Sequence, residues 1–305
     1  MTRQRVTVTL ITNMATITLI TNMATITLVT NTATITTSTT VTITVQTVIT
    51  ATGTVQTTTT AVMEATVMTE SPGFLTALRL SDSMLPVGTY TASYGVEQYL
   101  NDGYVETAAE LGELIEGYLR GVIGPAEIVA LGVAHRSAGT DDLNGILAAD
   151  ERLGAATLPA EFRESSAKAG EKLLSLLVET DDGPFVDAGL KSHVADYKTA
   201  LENDSTPGHY PVVLGMICQQ SDVDCFEAAL VSAYSTVTGL LGAAQRLGRF
   251  GHTDIQSQLS RLFPVIEEVC GRYHDAELQS MCSFAPLADV MGMTHERADR
   301  RLFMS

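Results

Sequence analysis

The chain has 305 residues, enough for one large domain or two average ones, and 45% of them are hydrophobic, which is ample for a buried core. A net charge of −17 with no cluster of Lys and Arg excludes a nucleic-acid partner, which would have to be gripped by its phosphates. Four lysines (Lys168, Lys172, Lys191, Lys198) stand against fourteen arginines; this carboxylate-rich, lysine-poor balance predicts a halophilic source, with an ordinary acidic cytosolic protein as the alternative.

The first 62 residues differ from the rest. They carry Arg3 and Arg5 and no acidic residue, and Thr9–Ile17 (TLITNMATI) recurs identically at Thr18–Ile26 and approximately at Thr27–Ile35. A fixed nine-residue period can mark a solenoid, but this one dissolves into Thr/Val/Ile strings after three copies. Thr, Val and Ile favour extended backbone, and a neutral, proline-free run of them is an aggregation hazard. Residues 1–62 are therefore read as a Thr-rich low-complexity leader, either an upstream extension of a protein starting at Met63 or Met68, or a genuine tail. The fold is assigned to 63–305.

That second part has a helical period. Leu111, Leu114, Ile115, Tyr118, Leu119 and Val122 form one stripe; Thr107 with Glu110 makes a capping box at its start, and Gly124-Pro125 is expected to end it. Pro125 then suits the first turn of a helix bearing Ile128, Leu131 and His135. Next comes a long helix after Pro159, with Phe162, Leu173, Leu174 and Leu177. A further one carries Val186, Leu190, Val194, Tyr197 and Leu201. The longest apolar run, from about Val223 to Leu247, points Phe226, Leu230, Ala233, Tyr234, Val237, Leu240, Leu241 and Ala244 inward. Thr253 with Gln256 predicts a second capping box, opening a helix that Pro264 should kink. The fold class is all-α, a single helical domain.

Enzyme signatures are missing. The sequence has no phosphate loop, no dinucleotide fingerprint, no H-E-x-x-H and no G-x-S-x-G. The four cysteines (Cys218, Cys225, Cys270, Cys282) form no C-x-x-C and fit free thiols of a reducing cytosol. Cys270 and His274 could share a helical face, but two ligands without a third do not make a metal site. No run of 18 uninterrupted apolar residues predicts a membrane span, and the N-terminus lacks a signal-peptide pattern. The expected location is cytoplasmic, with no catalytic residue, cofactor or resident metal.

Three segments carry a stronger signal. The first, Arg79–Leu100, places Asp82 and Ser83 before a Pro86/Gly88 break and Tyr90, Ser93, Gly95 and Glu97 after it, a helix–turn–helix pattern. The second, Ala244–Gln256, carries Arg246, Leu247 and Gly248, then Asp254 and Gln256. The third is the C-terminus, with Pro286, Asp289, Met293, His295, Glu296, Arg301, Leu302, Phe303 and Ser305. An apolar terminal pair behind arginines has no core role that spacing shows, and an otherwise fraying end of this kind suits docking. Together with GHYPVVLG (Gly208–Gly215), these segments resemble the UreF family of urease accessory proteins over about 72–305. Ala92, Tyr90 and His252 depart from that family's pattern, where His, Phe and Gln are usual; this puts proton or metal roles there in doubt.

The resemblance implies a helical homodimer that binds UreD (also called UreH), recruits the GTPase UreG, and docks on apo-urease during nickel delivery. It makes Asp82, Ser83, Tyr90, Ser93, Glu97, Arg246, Gln256, His295, Glu296, Arg301, Leu302 and Phe303 candidates for partner binding. Two further readings stay open. A GTPase-activating role would require an arginine, Arg246 or Arg301, to reach UreG in trans. A nickel-binding role would require a ligand cluster.

Overall fold

In a computed structural model of the chain, the described residues are seven short strands between residues 5 and 64, followed by 71–83, 85–88, 94–179 and 192–296. The chain divides into two compact units, Met1–Thr69 and Glu70–Ser305. In the first, strands β1 (Arg5–Leu10), β2 (Ala15–Ile20) and β3 (Thr27–Val29) form an antiparallel sheet. In the β1–β2 register Thr7 faces Thr18, Val8 faces Ile17 and Thr9 faces Thr16, so several like residues pair across the strands. β4 (Thr40–Thr44) pairs with β7 (Thr60–Glu64), and β5 (Thr47–Ile49) with β6 (Val55–Thr57).

Among its described residues, the regular elements of the second unit are all helices. It contains α1 (Ser71–Ser81), α2 (Val96–Asn101), α3 (Ala108–Tyr118), α4 (Val129–Gly139), α5 (Leu143–Ala156) and α6 (Ala160–Glu179). It continues with α7 (Ser192–Glu202), α8 (Tyr210–Gln220), α9 (Cys225–Arg246), α10 (His252–Tyr273) and α11 (Pro286–His295). The expected all-α fold is present. The capping box at Thr107 is there too: its hydroxyl accepts the Glu110 N–H at 3.2 Å, and the Glu110 carboxylate accepts the Thr107 N–H at 2.9 Å.

Gly124-Pro125 does not end a helix. A π-helical segment, Leu119–Ile128, joins α3 to α4, so Ala108–Gly139 runs through without a break. In a regular α-helix the Gly121 carbonyl would accept the N–H of residue 125, which proline lacks. Two extended residues before α11 use the freed ladder: Phe284 N–H donates to Gly121 O at 2.9 Å and Cys282 N–H to Pro125 O at 3.1 Å. The contact needs glycine, since a Cβ on residue 121 would lie 2.7 Å from the Phe284 carbonyl oxygen.

Two apolar clusters make the core. One gathers α4, α5, α6, α7 and α8 around Leu131, Ile146, Leu173, Tyr197 and Leu214. The other gathers α2, α3, α9, α10 and α11 around Tyr99, Ile115, Leu240, Leu262 and Met291. The long α3–α4 run contributes to both, as does α9. Two helical runs, Ala108–Gly139 and Cys225–Arg246, are long and apolar enough to cross a membrane; the first is 72% buried over its most apolar stretch and the second 44%, inside this bundle.

Two further expectations are corrected. Tyr234, expected inward on α9, is 37% exposed. The box expected from Thr253 and Gln256 is replaced two residues earlier: Gly251 is the N-cap and the Asp254 carboxylate accepts its N–H at 3.2 Å. α8, for which the sequence showed no period, is buried on every side from Tyr210 through Cys218. Val186 and Leu190, read as part of the helix at α7, lie outside the described residues.

Candidate functional site

The motifs separated in sequence meet at two places. The first is an open cleft of about 520 Å³ between the end of α1 with its following turn, the start of α8, the second half of α9 and the start of α10. α1 stops at Ser81, and Leu85 N–H donates back to Asp82 O at 3.0 Å to close the turn ahead of Gly88, whose φ of +86° suits glycine. That turn presents Asp82 and Ser83, exposed, across from half-buried Arg246 at the end of α9. Tyr210, Ser235, Thr238, Gln245 and His252 complete the walls. Arg246 is held within the wall, with two of its three guanidinium nitrogens buried. Gln256 is exposed on α10 outside this cleft.

The second place is a buried joint. Glu97 opens α2 and is 3% exposed; His295 closes α11 and is 1% exposed. His295 Nδ1 lies 3.0 Å from Glu161 Oε2, and its Nε2 lies 3.5 Å from Glu97 Oε2. Next along the chain, the Glu296 carboxylate accepts the Glu161 backbone N–H at 3.0 Å, satisfying a donor in the first turn of α6. The backbones come close here: a Cβ on Gly292 would sit 2.7 Å from the Phe162 ring, and Gly95, at φ +77°, packs against Gly292 N. Tyr94 packs against Phe162 in a tilted arrangement, with ring centroids 5.2 Å apart.

Glu161 is the member that sequence reasoning missed. It looks like any acidic residue in a helix's first turn, where the macrodipole favours it, and only the fold reveals its second use. Tyr90, Ser93, Arg301, Leu302 and Phe303 lie outside the described residues.

Behind the cleft, a small chamber of about 30 Å³ is lined by Glu127 of the π segment, Tyr94, Ser166, Tyr210 and Ser235. Burial pushes the Glu127 carboxyl up to about 7. Elsewhere, Asp150 of α5 is fully buried and accepts four hydrogen bonds. These come from Tyr197 Oη (2.6 Å), Thr206 Oγ1 (2.6 Å), Gly208 N (2.8 Å) and His209 N (2.9 Å). It fixes the entry into α8, the GHYPVVLG segment.

Among the described residues no group of three or more His, Cys, Asp and Glu side chains is placed to hold a metal. The Cys270–His274 pair is used internally: His274 Nδ1 faces the Cys270 carbonyl at 3.0 Å, and burial pushes the Cys270 thiol up to about 12.

These features define a class first: an all-helical protein whose motif residues build a cleft and a helix joint. The UreF family profile matches residues 105–263. The chain is 30% identical over 233 residues to urease accessory protein UreF of Trichodesmium erythraeum (strain IMS101), covering 75% of this chain and 95% of that relative. It is 29% identical over 226 residues to the UreF of Yersinia pestis (strain Pestoides F) and 30% over 228 residues to that of Yersinia pseudotuberculosis serotype I (strain IP32953). Each comparison covers 74% of this chain and 95% of the relative. The chain belongs to the UreF family of urease accessory proteins.

Proposed function

We propose that the protein is a non-catalytic scaffold of urease maturation in the cytoplasm, a homodimer that binds UreD (UreH) and recruits the GTPase UreG for nickel insertion into apo-urease. The observation that carries this reading is the use of the motif residues. Glu97, His295 and Glu296 hold helices together, while Asp82, Ser83 and Gln256 face outward, as a platform requires and a catalytic constellation does not. By holding its partners together, such a platform raises their effective concentration beside urease.

An apolar groove of about 950 Å³ between α1, α9 and α10 supports self-association. It exposes Phe74 (54%), Leu78, Tyr234 and Phe263, a patch that a lone soluble protein would ordinarily cover. The GTPase-activating alternative would draw on Arg246 or Arg301; the burial of most of the Arg246 guanidinium in the cleft wall weighs against that residue reaching UreG. The lack of a ligand cluster among the described residues weighs against a nickel store. The balance of 35 acidic against 18 basic residues suits a salt-rich, halophilic cytoplasm.

Co-purification of the tagged protein with its UreD and UreG homologues and apo-urease tests the reading. A stoichiometric complex is the expected result. Failure to retain UreD at micromolar concentrations would overturn it, and retention of nickel by the isolated chain in equilibrium dialysis would favour the metal-binding alternative.

A further inference from the structure

We propose that the turn leading into α8 is an acid-released latch: it stays closed on Asp150 while the His209 imidazole is neutral, and protonation of that ring opens it and loosens the cleft wall at Tyr210. The latch belongs to the chain by itself and needs no partner.

His209 is the N-cap of α8 and is 2% exposed, yet its side chain makes no capping bond. Both ring nitrogens are buried, and neither has a hydrogen-bond partner among the described residues. α5 closes over the ring at Gly154, where a Cβ would lie 2.9 Å from Nε2. Two charged groups face the imidazole, and neither is placed to receive a second ring proton. Asp150 of α5 already accepts four hydrogen bonds, one of them from the Tyr197 hydroxyl of α7. Arg163 of α6 donates to the Thr157 and Leu158 carbonyls at 2.7 and 2.6 Å, and its own positive charge opposes another. Burial, first of all, holds the imidazole below its ordinary value of 6.5; Asp150 pulls the other way, and Arg163 acts with burial.

The turn itself is bounded by two residues in left-handed backbone, Asp204 at φ +54° and Gly208 at φ +79°. Three of the four groups that hold Asp150 sit on it or at its end: Thr206 Oγ1, Gly208 N and His209 N. The same turn lines an open pocket of about 470 Å³, with the exposed carboxylates of Glu171 and Asp204. An imidazolium released toward that pocket keeps its water and meets negative charge, whereas one formed in the closed site is desolvated and has no acceptor. The open turn therefore binds the proton better than the closed one. The latch is at full strength above about pH 6.5 and weakens as pH falls below it. Tyr210 follows directly in the chain. Its N–H donates to Ser166 Oγ of α6 at 3.2 Å, and its side chain lines the cleft of Asp82 and Arg246, so opening at His209 reaches the cleft through one peptide bond.

The test is amide hydrogen exchange on the full-length protein between about pH 7.5 and 5.5, each rate divided by the intrinsic rate at that pH. The opening constant at the Gly208, His209 and Tyr210 amides should rise about five- to tenfold over this range, while amides of α3 and α10 stay level. His209→Gln, whose side chain does not titrate, should remove the rise. His193→Gln, at a second buried histidine with an unpartnered ring nitrogen, should keep it. Should His209→Gln fail to fold, the His209 ring of the parent is titrated by NMR, with a midpoint below 6.5 expected. A level opening constant in the parent, or a rise shared equally by α3 and α10, overturns the latch. So does a rise that survives in His209→Gln or is lost in His193→Gln, and so does a ring midpoint at or above 6.5.

Discussion

Asp150 is a buried carboxylate with four donors aimed at it, and this makes its side chain hard to replace. Asp150→Ala leaves two hydroxyls and two backbone N–H groups without their acceptor in a buried site. At about 1–3 kcal/mol for each unsatisfied buried group, partly relieved by relaxation, a total loss of about 3 kcal/mol or more is expected. A lowered urea midpoint with an unchanged slope would report it; a midpoint within 1 M of the parent would show that these contacts carry no such weight. Glu127 gives the opposite case, a carboxyl whose site favours the neutral form. Its folded value of about 7 lies above the usual carboxylate range, so the folded state holds the proton more tightly. Its contribution to stability is greatest below the unfolded value, near 4.5, and is lost as pH rises toward 7. The stability difference between the parent and Glu127→Gln should therefore shift against the parent across that window, by roughly 2–3 kcal/mol. A flat difference from pH 4.5 to 7.5 would contradict it. Neither role was legible from sequence, where Asp150 and Glu127 look like ordinary helix-surface acids.

At the scale of elements, the helices with one apolar stripe were legible and those without were not. α3 and α9 could be placed from period and caps, because each buries one face and wets the other. α8 could not be read as a helix, although its segment stood out, because burial on every side erases the period. Gly124-Pro125 was misread because the rule that proline ends a helix assumes an i→i−4 ladder. The π segment escapes that rule by giving the Gly121 carbonyl to Phe284. This contact sets two effects against each other in Gly121→Ala. Helix propensity favours alanine by about 1 kcal/mol, while a Cβ placed 2.7 Å from a backbone oxygen must push the 282–284 segment away. Overpacking of that kind costs about 1–3 kcal/mol, so a net loss is expected. A rise in melting temperature would show that the segment yields freely.

At the scale of the whole molecule, the joint and the cleft explain how motifs some 200 residues apart belong to one function. The first and last segments meet at Glu97 and His295, and the first and second meet across the cleft at Asp82 and Arg246. Sequence order could mark these residues but not pair them. The spacing of His295 and Glu296 marks two neighbours on a helix end, and only the packing of α11 on α2 and α6 shows one joined to Glu97 and the other to the Glu161 backbone. Deleting Arg300–Ser305 should leave helix content and melting temperature close to the parent's while weakening assembly at least tenfold. Burial of Leu302 and Phe303 by a partner would contribute about 3–5 kcal/mol before ordering costs, and about 1.4 kcal/mol already makes one decade of affinity. Circular dichroism with a binding titration separates this outcome from unfolding, which would place the tail in the core instead.

The most direct test of the scaffold account is urease activation in vitro from apo-urease, nickel, bicarbonate, GTP and the UreD and UreG homologues, with this protein added or withheld. The account predicts that activity appears only when the protein is present. It should rise with the amount added until the protein matches UreD in stoichiometry, while the isolated protein neither hydrolyses GTP nor retains nickel. Full activation in its absence, at the same rate and extent, would contradict it.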